Sequence, residues 1–119
     1  MARLLLIDDD ELLRELLAMR LEIEGHEVVA VDHGAAGIEA LRRERFDLVV
    51  LDLMMPVMDG VRFMRLLNGE MAPPPVIVLS AAGRGDLERD MLAAGVGAVL
   101  RKPVDMQQLV ARIGALTGS

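Results

Sequence analysis

Five short apolar runs recur along the chain, and each is followed by a segment whose apolar residues have helical spacing. The runs are Arg3 to Ile7, Glu27 to Val31, Phe46 to Leu51, Val76 to Leu79 and Ala98 to Leu100. The run from Phe46 to Leu51 is almost continuously apolar, which is typical of a parallel strand covered on both faces. The pattern therefore predicts five strands, with the third in the centre of the sheet.

The segments between the runs predict five helices. They extend from the residues after Asp10 to Leu21, from Ala35 to Arg43, from about Val61 to Leu67, from about Asp86 to Ala93, and from Val104 to Leu116. We expect Asn68-Gly69 and Pro73-Pro74-Pro75 to end the third helix, because glycine and proline interrupt helices. Alternating strands and helices predict a doubly wound parallel α/β sheet with right-handed crossovers.

Composition narrows the classes of function. A chain of 119 residues fits one domain, which we expect to span residues 1–119. A formal net charge of −6 argues against direct binding to nucleic acid or to anionic lipid. The chain has no long apolar run for a membrane span and no room before the first strand for a signal peptide, so we expect a cytoplasmic protein.

Polar residues of a consistent kind follow the predicted strands. Asp8 and Asp9 follow the first strand, Asp52 the third, Ser80 the fourth and Lys102 the fifth. In a sheet of order 2-1-3-4-5 these side chains meet at the carboxyl ends of the strands, at the switch point where such folds bind ligands. Taken singly, each residue could be a helix cap, a turn residue or a surface charge, as we expect for Asp10 at the start of the first helix. Their joint placement is the specific signal.

The chemistry of this group favours phosphoryl transfer. Three carboxylates in one cleft repel each other unless a cation or a proton intervenes, and hard oxygen ligands favour Mg²⁺, or Mn²⁺, over zinc or copper. Asp52 could then act as a nucleophile toward phosphorus. The ammonium of Lys102 and the hydroxyl of Ser80 could stabilise the charge on the phosphoryl oxygens.

These residues lie in motifs that resemble those of bacterial response-regulator receiver domains. The acidic opening is Leu5-Leu6-Ile7-Asp8-Asp9-Asp10-Glu11, and the phosphoacceptor strand and loop correspond to residues 47–60. The hydroxyl motif corresponds to Val78-Leu79-Ser80-Ala81 and the lysine motif to Lys102-Pro103. The resemblance spans the whole chain and implies the flavodoxin-like, CheY-like fold with sheet order 2-1-3-4-5.

The resemblance also implies roles for individual residues. Asp52 is the expected phosphoacceptor, Asp8 and Asp9 the acidic metal-site residues, and the backbone carbonyl of Met54 a further metal ligand. It further implies Ser80 as the switch hydroxyl, Lys102 as the phosphate partner and a cis peptide before Pro103. The expected donor is a phosphohistidine on a sensor histidine kinase or a histidine phosphotransfer protein. The chain would assist its own modification rather than act as a turnover enzyme.

The expected output surface comprises the last two helices and the fifth strand, which could dock a partner or a second copy of the chain. One position departs from the common pattern. Val99 stands where relatives often have Tyr or Phe, so an aromatic switch at that position is excluded. Met54, a large apolar residue two positions after Asp52, could alter the access of water to the acyl phosphate.

Three other functions are weighed against this one. A dehalogenase-type phosphatase would need a second aspartate where Met54 stands. A nucleotide- or flavin-binding module would need a glycine fingerprint after the first strand or aromatic side chains, and the chain has neither the fingerprint nor any Trp or Tyr. A pseudo-receiver that binds partners without phosphorylation stays open, as does the choice between a stand-alone regulator and a domain of a longer protein.

Overall fold

A computed structural model of the chain describes residues 1–52, 57–81 and 85–118 and, within these ranges, every side chain except those of residues 57–59 and 87. The described residues form five strands: β1 Arg3–Ile7, β2 Glu27–Val31, β3 Leu48–Asp52, β4 Val76–Ser80 and β5 Ala98–Arg101. They also form five helices: α1 Glu11–Ile23, α2 Gly34–Arg43, α3 Val57–Glu70, α4 Gly85–Ala93 and α5 Met106–Thr117.

The strands make one parallel sheet of order β2-β1-β3-β4-β5. This topology confirms the predicted fold class and the central position of β3. β1 and β3 are neighbours, with Ile7 opposite Leu51. The sequence therefore brings the residues after β1 beside the end of β3, although more than 40 residues separate them along the chain.

Helices cover both faces of the sheet. On one face, residues such as Leu5, Val49 and Val78 pack against Ile38 of α2, Phe63 of α3 and Met91 of α4. On the other face, residues such as Leu6, Val50 and Ile77 pack against Leu17 of α1 and Ile113 of α5. All residues of β3 and β4 are buried, as the continuous apolar runs predict.

The predicted bounds of α3 are wrong. We expected a helix from about Val61 to Leu67, and the observed helix begins at Val57 and continues through Asn68-Gly69 to Glu70. A glycine inside a helix costs only about 1 kcal/mol. The buried face formed by Phe63, Met64 and Leu67 outweighs that cost. Asn68 also packs toward α4, because its side-chain amide donates to the carbonyl of Ala94 at 3.0 Å.

Other element ends differ by one or two residues. α5 begins at Met106 rather than Val104, because the Asp105 carboxylate accepts hydrogen bonds from the backbone amides of Gln107 and Gln108 and so caps the helix. β3 begins at Leu48 rather than Phe46 and includes Asp52.

The longest described helix, α3, has 14 residues, fewer than the roughly 20 that a membrane span needs.

Candidate functional site

The structure gathers four of the predicted site residues at the carboxyl edge of the sheet. Asp8 follows β1, Asp52 ends β3, Ser80 ends β4 and Lys102 follows β5. Strand pairing aligns them, because Asp52 lies opposite Leu79 and Ser80 lies opposite Arg101. Asp8 and Asp52 are each 1% exposed and Ser80 is fully buried. Among the residues that the structure describes, these three are the buried polar side chains. Their position at one edge of the sheet indicates a site for chemistry rather than packing.

Lys102 supplies the positive charge of the site. Its ammonium pairs with Oδ1 of Asp52, and the lysine side chain is only 18% exposed. Its backbone amide donates to the carbonyl of Ser80 at 2.7 Å, which fixes the chain after β5 to the end of β4. The peptide bond between Lys102 and Pro103 is cis, as predicted.

Asp8 is a carboxylate in an unfavourable environment for its charge. Burial raises its pKa to about 6, and the nearby Asp52 carboxylate contributes to the rise. A hydrogen bond from the Asp10 amide to Oδ1 and the charge of Lys102 favour ionisation and limit the rise. The carboxylates of the pocket therefore carry more negative charge than the surrounding residues stabilise.

Several buried oxygens in this pocket lack hydrogen-bond partners among the described residues. They are Oδ2 of Asp8, both carboxylate oxygens of Asp52 and Oγ of Ser80. Lys102 forms an ion pair with Oδ1 of Asp52, which leaves Oδ2 of each carboxylate and Oγ of Ser80 without a charged partner among the described residues. Buried oxygens without donors are expensive unless an ion or water satisfies them. The pair of carboxylates thus fits a hard divalent cation such as Mg²⁺, which typically takes one or two carboxylates and keeps several waters.

One predicted metal-site residue, Asp9, does not join this buried pair. Asp9 directly follows Asp8 but its side chain is exposed. Within residues 1–52, 57–81 and 85–118, no cluster of three metal-ligating side chains is present. Met54, whose backbone carbonyl is an expected ligand, lies outside the described residues. Asp10 caps α1, as expected, with Oδ1 accepting from the Leu13 amide at 3.0 Å.

Sequence reasoning missed one residue at the edge of the site. Arg14, half-buried on α1, donates from Nη1 to the backbone carbonyl of Asp8 at 2.9 Å. The apolar periodicity of α1 gives no hint of this bond. A signal was nevertheless present, since an arginine in the first turns of a helix can reach back to the acidic segment that precedes it.

Comparison with known proteins identifies the family. The model of the response regulator receiver domain matches residues 4–114. The response regulator protein FleR of Pseudomonas aeruginosa is 39% identical over 99% of this chain and 26% of its own length. The transcriptional regulatory protein GlrR of Escherichia coli is 43% identical over 91% of this chain and 24% of its own length. The chain thus spans about a quarter of these two relatives.

Solved structures agree with this assignment. The receiver domain of the Francisella response regulator 1452 superposes with a TM-score of 0.90 at 25% identity, covering 99% of this chain and 98% of that one. The receiver domain of the sensor histidine kinase PA1611 from Pseudomonas aeruginosa, solved with magnesium coordinated in its active-site cleft, superposes with a TM-score of 0.87 at 25% identity, with 99% and 98% covered. The chain therefore belongs to the response regulator receiver domain family of two-component signal transduction.

Proposed function

We propose that this receiver domain is switched by transfer of a phosphoryl group from a phosphohistidine to Asp52. The observation that carries the proposal is the buried Asp52 carboxylate, paired with Lys102 and adjacent to Asp8 and Ser80 at one end of the sheet. A buried carboxylate that is paired with a lysine and lies beside a second buried carboxylate is typical of a reactive site rather than of core packing.

The proposed cofactor is Mg²⁺, or Mn²⁺, held by Asp8 and Asp52. The partnerless oxygens of the two carboxylates support this assignment. Asp9 and the carbonyl of Met54 are further proposed contributors, on the resemblance to relatives alone. When bound, the cation would offset the charge that otherwise repels an incoming phosphoryl group. The magnesium in the related PA1611 receiver domain supports the same choice.

In the proposed transfer, a carboxylate oxygen of Asp52 forms a bond to phosphorus while the bond from phosphorus to the donor's histidine nitrogen breaks. The bonding electron pair leaves with that nitrogen, which regains an imidazole lone pair. The ammonium of Lys102 moves from the carboxylate to a phosphoryl oxygen, and the hydroxyl of Ser80 donates to another. The chain assists one modification of itself and is not a turnover enzyme.

The proposed donor is a protein, a sensor histidine kinase or a histidine phosphotransfer protein, and we propose that one of its helices docks along α1. Of the seven large apolar side chains exposed in the described part of the chain, four lie on α1. These four, which we name the α1 stripe, are Leu12, Leu16, Met19 and Ile23, and their spacing places them along one side of the helix.

The α1 stripe leads to the reaction site. Leu16, Met19 and Ile23 border an open groove of about 530 Å³, which continues to Lys102, Pro103 and Val104. Because Lys102 pairs with Asp52, a helix lying in this groove ends beside the phosphoacceptor. An apolar groove of this kind suits the amphipathic helix of a partner.

The proposed output surface is α4, β5 and α5, which could dock a partner or a second copy of the chain. β5 is an edge strand, and Arg101 at its end bonds to Glu88 of α4 at 3.0 Å, so the two elements are joined near the site. The cytoplasmic location of the chain stays a prediction.

The decisive experiment is intact mass spectrometry after incubation with acetyl phosphate or phosphoramidate, with Mg²⁺ or with EDTA. We expect one labile adduct of a phosphoryl group that requires Mg²⁺ and is lost in Asp52→Asn, a substitution that preserves the shape of the buried side chain. Asp47→Asn, at an exposed carboxylate before β3, serves as the matched control and should retain the adduct.

The same experiment separates the competing functions. A pseudo-receiver would form no adduct and would not bind beryllofluoride. If the wild-type chain forms no adduct with any donor and does not bind beryllofluoride, the proposed phosphorylation switch is wrong. A phosphatase would instead release phosphate from an ester substrate over many turnovers, for which the chain lacks the second aspartate at position 54.

A further inference from the structure

The backbone and carboxylate of Asp8 are fixed by three hydrogen bonds. Its amide donates to the carbonyl of Val31 at 3.1 Å, and Oδ1 accepts from the amide of Asp10 at 2.9 Å. Its carbonyl accepts from Nη1 of Arg14 at 2.9 Å. After these bonds, Oδ2 is the oxygen of Asp8 that has no partner among the described residues. The arrangement therefore presents a single carboxylate oxygen to the pocket.

The bond from Arg14 acts on more than one residue. The carbonyl of Asp8 and the amide of Asp9 belong to the same planar peptide unit, so a bond that orients the carbonyl also sets the direction in which the chain continues to Asp9. A guanidinium donates from a rigid, planar group, and a hydrogen bond from a charged donor is stronger than a neutral one. Arg14 is itself held by α1, which starts at the Asp10 cap.

The geometry points to Arg14 as a positioning residue for the cation site. By orienting the peptide between Asp8 and Asp9, it holds the path of the chain to Asp10, whose amide donates to Oδ1 and so restrains the Asp8 carboxylate. It acts through Asp8 and does not itself bind the cation. The inference rests on the proposed function, since the cation concerned is the Mg²⁺ of the phosphorylation site.

Charge and geometry make opposite predictions for this residue. A positive side chain close to a cation site repels the cation, so a purely electrostatic role requires that removing Arg14 should tighten Mg²⁺ binding. A positioning role requires that removing it should weaken binding. Loss of groups that orient metal ligands typically lowers metal affinity by about tenfold or more.

The test is the dissociation constant for Mg²⁺ measured by calorimetry, and for Mn²⁺ by electron paramagnetic resonance, on the purified chain. We expect Arg14→Met, which keeps the length and the apolar stem of the side chain, to weaken binding by about tenfold. Arg14→Lys retains one charged donor and should bind more tightly than Arg14→Met. Arg20→Met is the matched control: it removes a charge from the same helix at a residue that pairs only loosely with Glu24, at 4.0 Å, and should leave the dissociation constant unchanged.

A second readout is independent of metal. In EDTA, hydrogen exchange at the Asp10 amide, which donates to Asp8, should be faster in Arg14→Met than in the wild type, while exchange in β3 and β4 is unchanged. If Arg14→Met does not fold, Arg14→Gln carries the same test: binding tighter than wild type indicates charge alone, and weaker binding supports positioning.

The outcomes separate the two proposals. If the wild-type chain binds neither cation and forms no phosphoryl adduct, the proposed function fails and the role of Arg14 fails with it. If the wild type binds Mg²⁺ and is phosphorylated, but Arg14→Met binds equally well or more tightly, only the positioning role is overturned.

Discussion

Oδ2 of Asp8 and the carboxylate of Asp52 are buried together at the ends of neighbouring strands, and among the described residues only Oδ1 of Asp52 has a charged partner. Lys102 compensates one negative charge, through Asp52. The excess charge of these side chains has consequences for stability that can be measured in EDTA, without any knowledge of the signalling partners.

We expect Asp8→Asn to stabilise the metal-free chain at pH 7, because it removes the uncompensated charge while conserving shape. Each unit of pKa corresponds to about 1.4 kcal/mol, so a rise from the ordinary value of 3.8 to about 6 limits the gain to roughly 3 kcal/mol. Urea unfolding in EDTA measures it. Asp90→Asn, at an exposed residue of α4, should change little, and a loss of stability in Asp8→Asn would contradict the argument.

The stability of the metal-free chain should also depend on pH through Asp8. Because its pKa is raised to about 6, the folded chain binds this proton more tightly than the unfolded chain does. The stabilisation of the folded chain by protonated Asp8 is fully present below the ordinary pKa of the group and is lost as pH rises through about 6. The wild type should therefore lose stability relative to Asp8→Asn as the pH rises from about 4 to 6, as measured by the free energy of unfolding. A difference that is flat over this range would refute the assignment.

Lys102→Met should destabilise the metal-free chain, since it leaves the buried charge of Asp52 without its partner. Removing one member of a buried ion pair costs up to about 3–5 kcal/mol. The double variant Lys102→Met with Asp52→Asn should recover most of the loss, because the orphaned charge is then absent. The free energy of unfolding of the wild type, the two single variants and the double variant checks the prediction. If Lys102→Met lowers this free energy equally with and without Asp52→Asn, the two side chains are not coupled.

A charge in the α1 stripe should block the protein donor but not a small one. Leu16→Glu is expected to slow phosphoryl transfer from autophosphorylated sensor kinases of the source genome, while the rate with acetyl phosphate stays that of the wild type. Leu66→Glu on α3 is a matched control, since Leu16 and Leu66 are 52% and 51% exposed. Equal slowing with both kinds of donor would place the effect in the site rather than in docking.

The lifetime of the phosphorylated chain should depend on Met54. We expect Met54→Asn to shorten it, because a small polar side chain admits and orients water where a large apolar one excludes it. The decay of the phosphoryl adduct after removal of the donor, followed by intact mass, measures the rate. Identical decay in the two proteins would show that the side chain has no part in hydrolysis.

The sequence predicted the fold because its signals there are redundant. β3 and β4 are continuous apolar runs between turn residues, and only a sheet covered on both faces buries them. The ends of the helices were less predictable. Gly69 predicted the end of α3, yet the helix continues through it because Phe63 and Leu67 are buried against the sheet.

For the site, strand ends located Asp8, Asp52, Ser80 and Lys102 well, since topology alone brings them to one edge. The neighbours of Asp8 were harder to predict. Asp9 follows it in sequence but turns to solvent, and the bond from Arg14 to the Asp8 carbonyl joins a side chain to a backbone atom six residues away. No periodicity in the sequence encodes either feature.

One helix, α1, carries both Arg14 and the α1 stripe, so the proposed donor and the proposed cation would act on the same element. Thermodynamic linkage then requires a reciprocal effect: if a docked donor changes the affinity for Mg²⁺ by some factor, Mg²⁺ changes the affinity for the donor by that same factor. If that factor differs from one, the free Mg²⁺ concentration would set how tightly the proposed kinase docks, in addition to the rate of the transfer that follows.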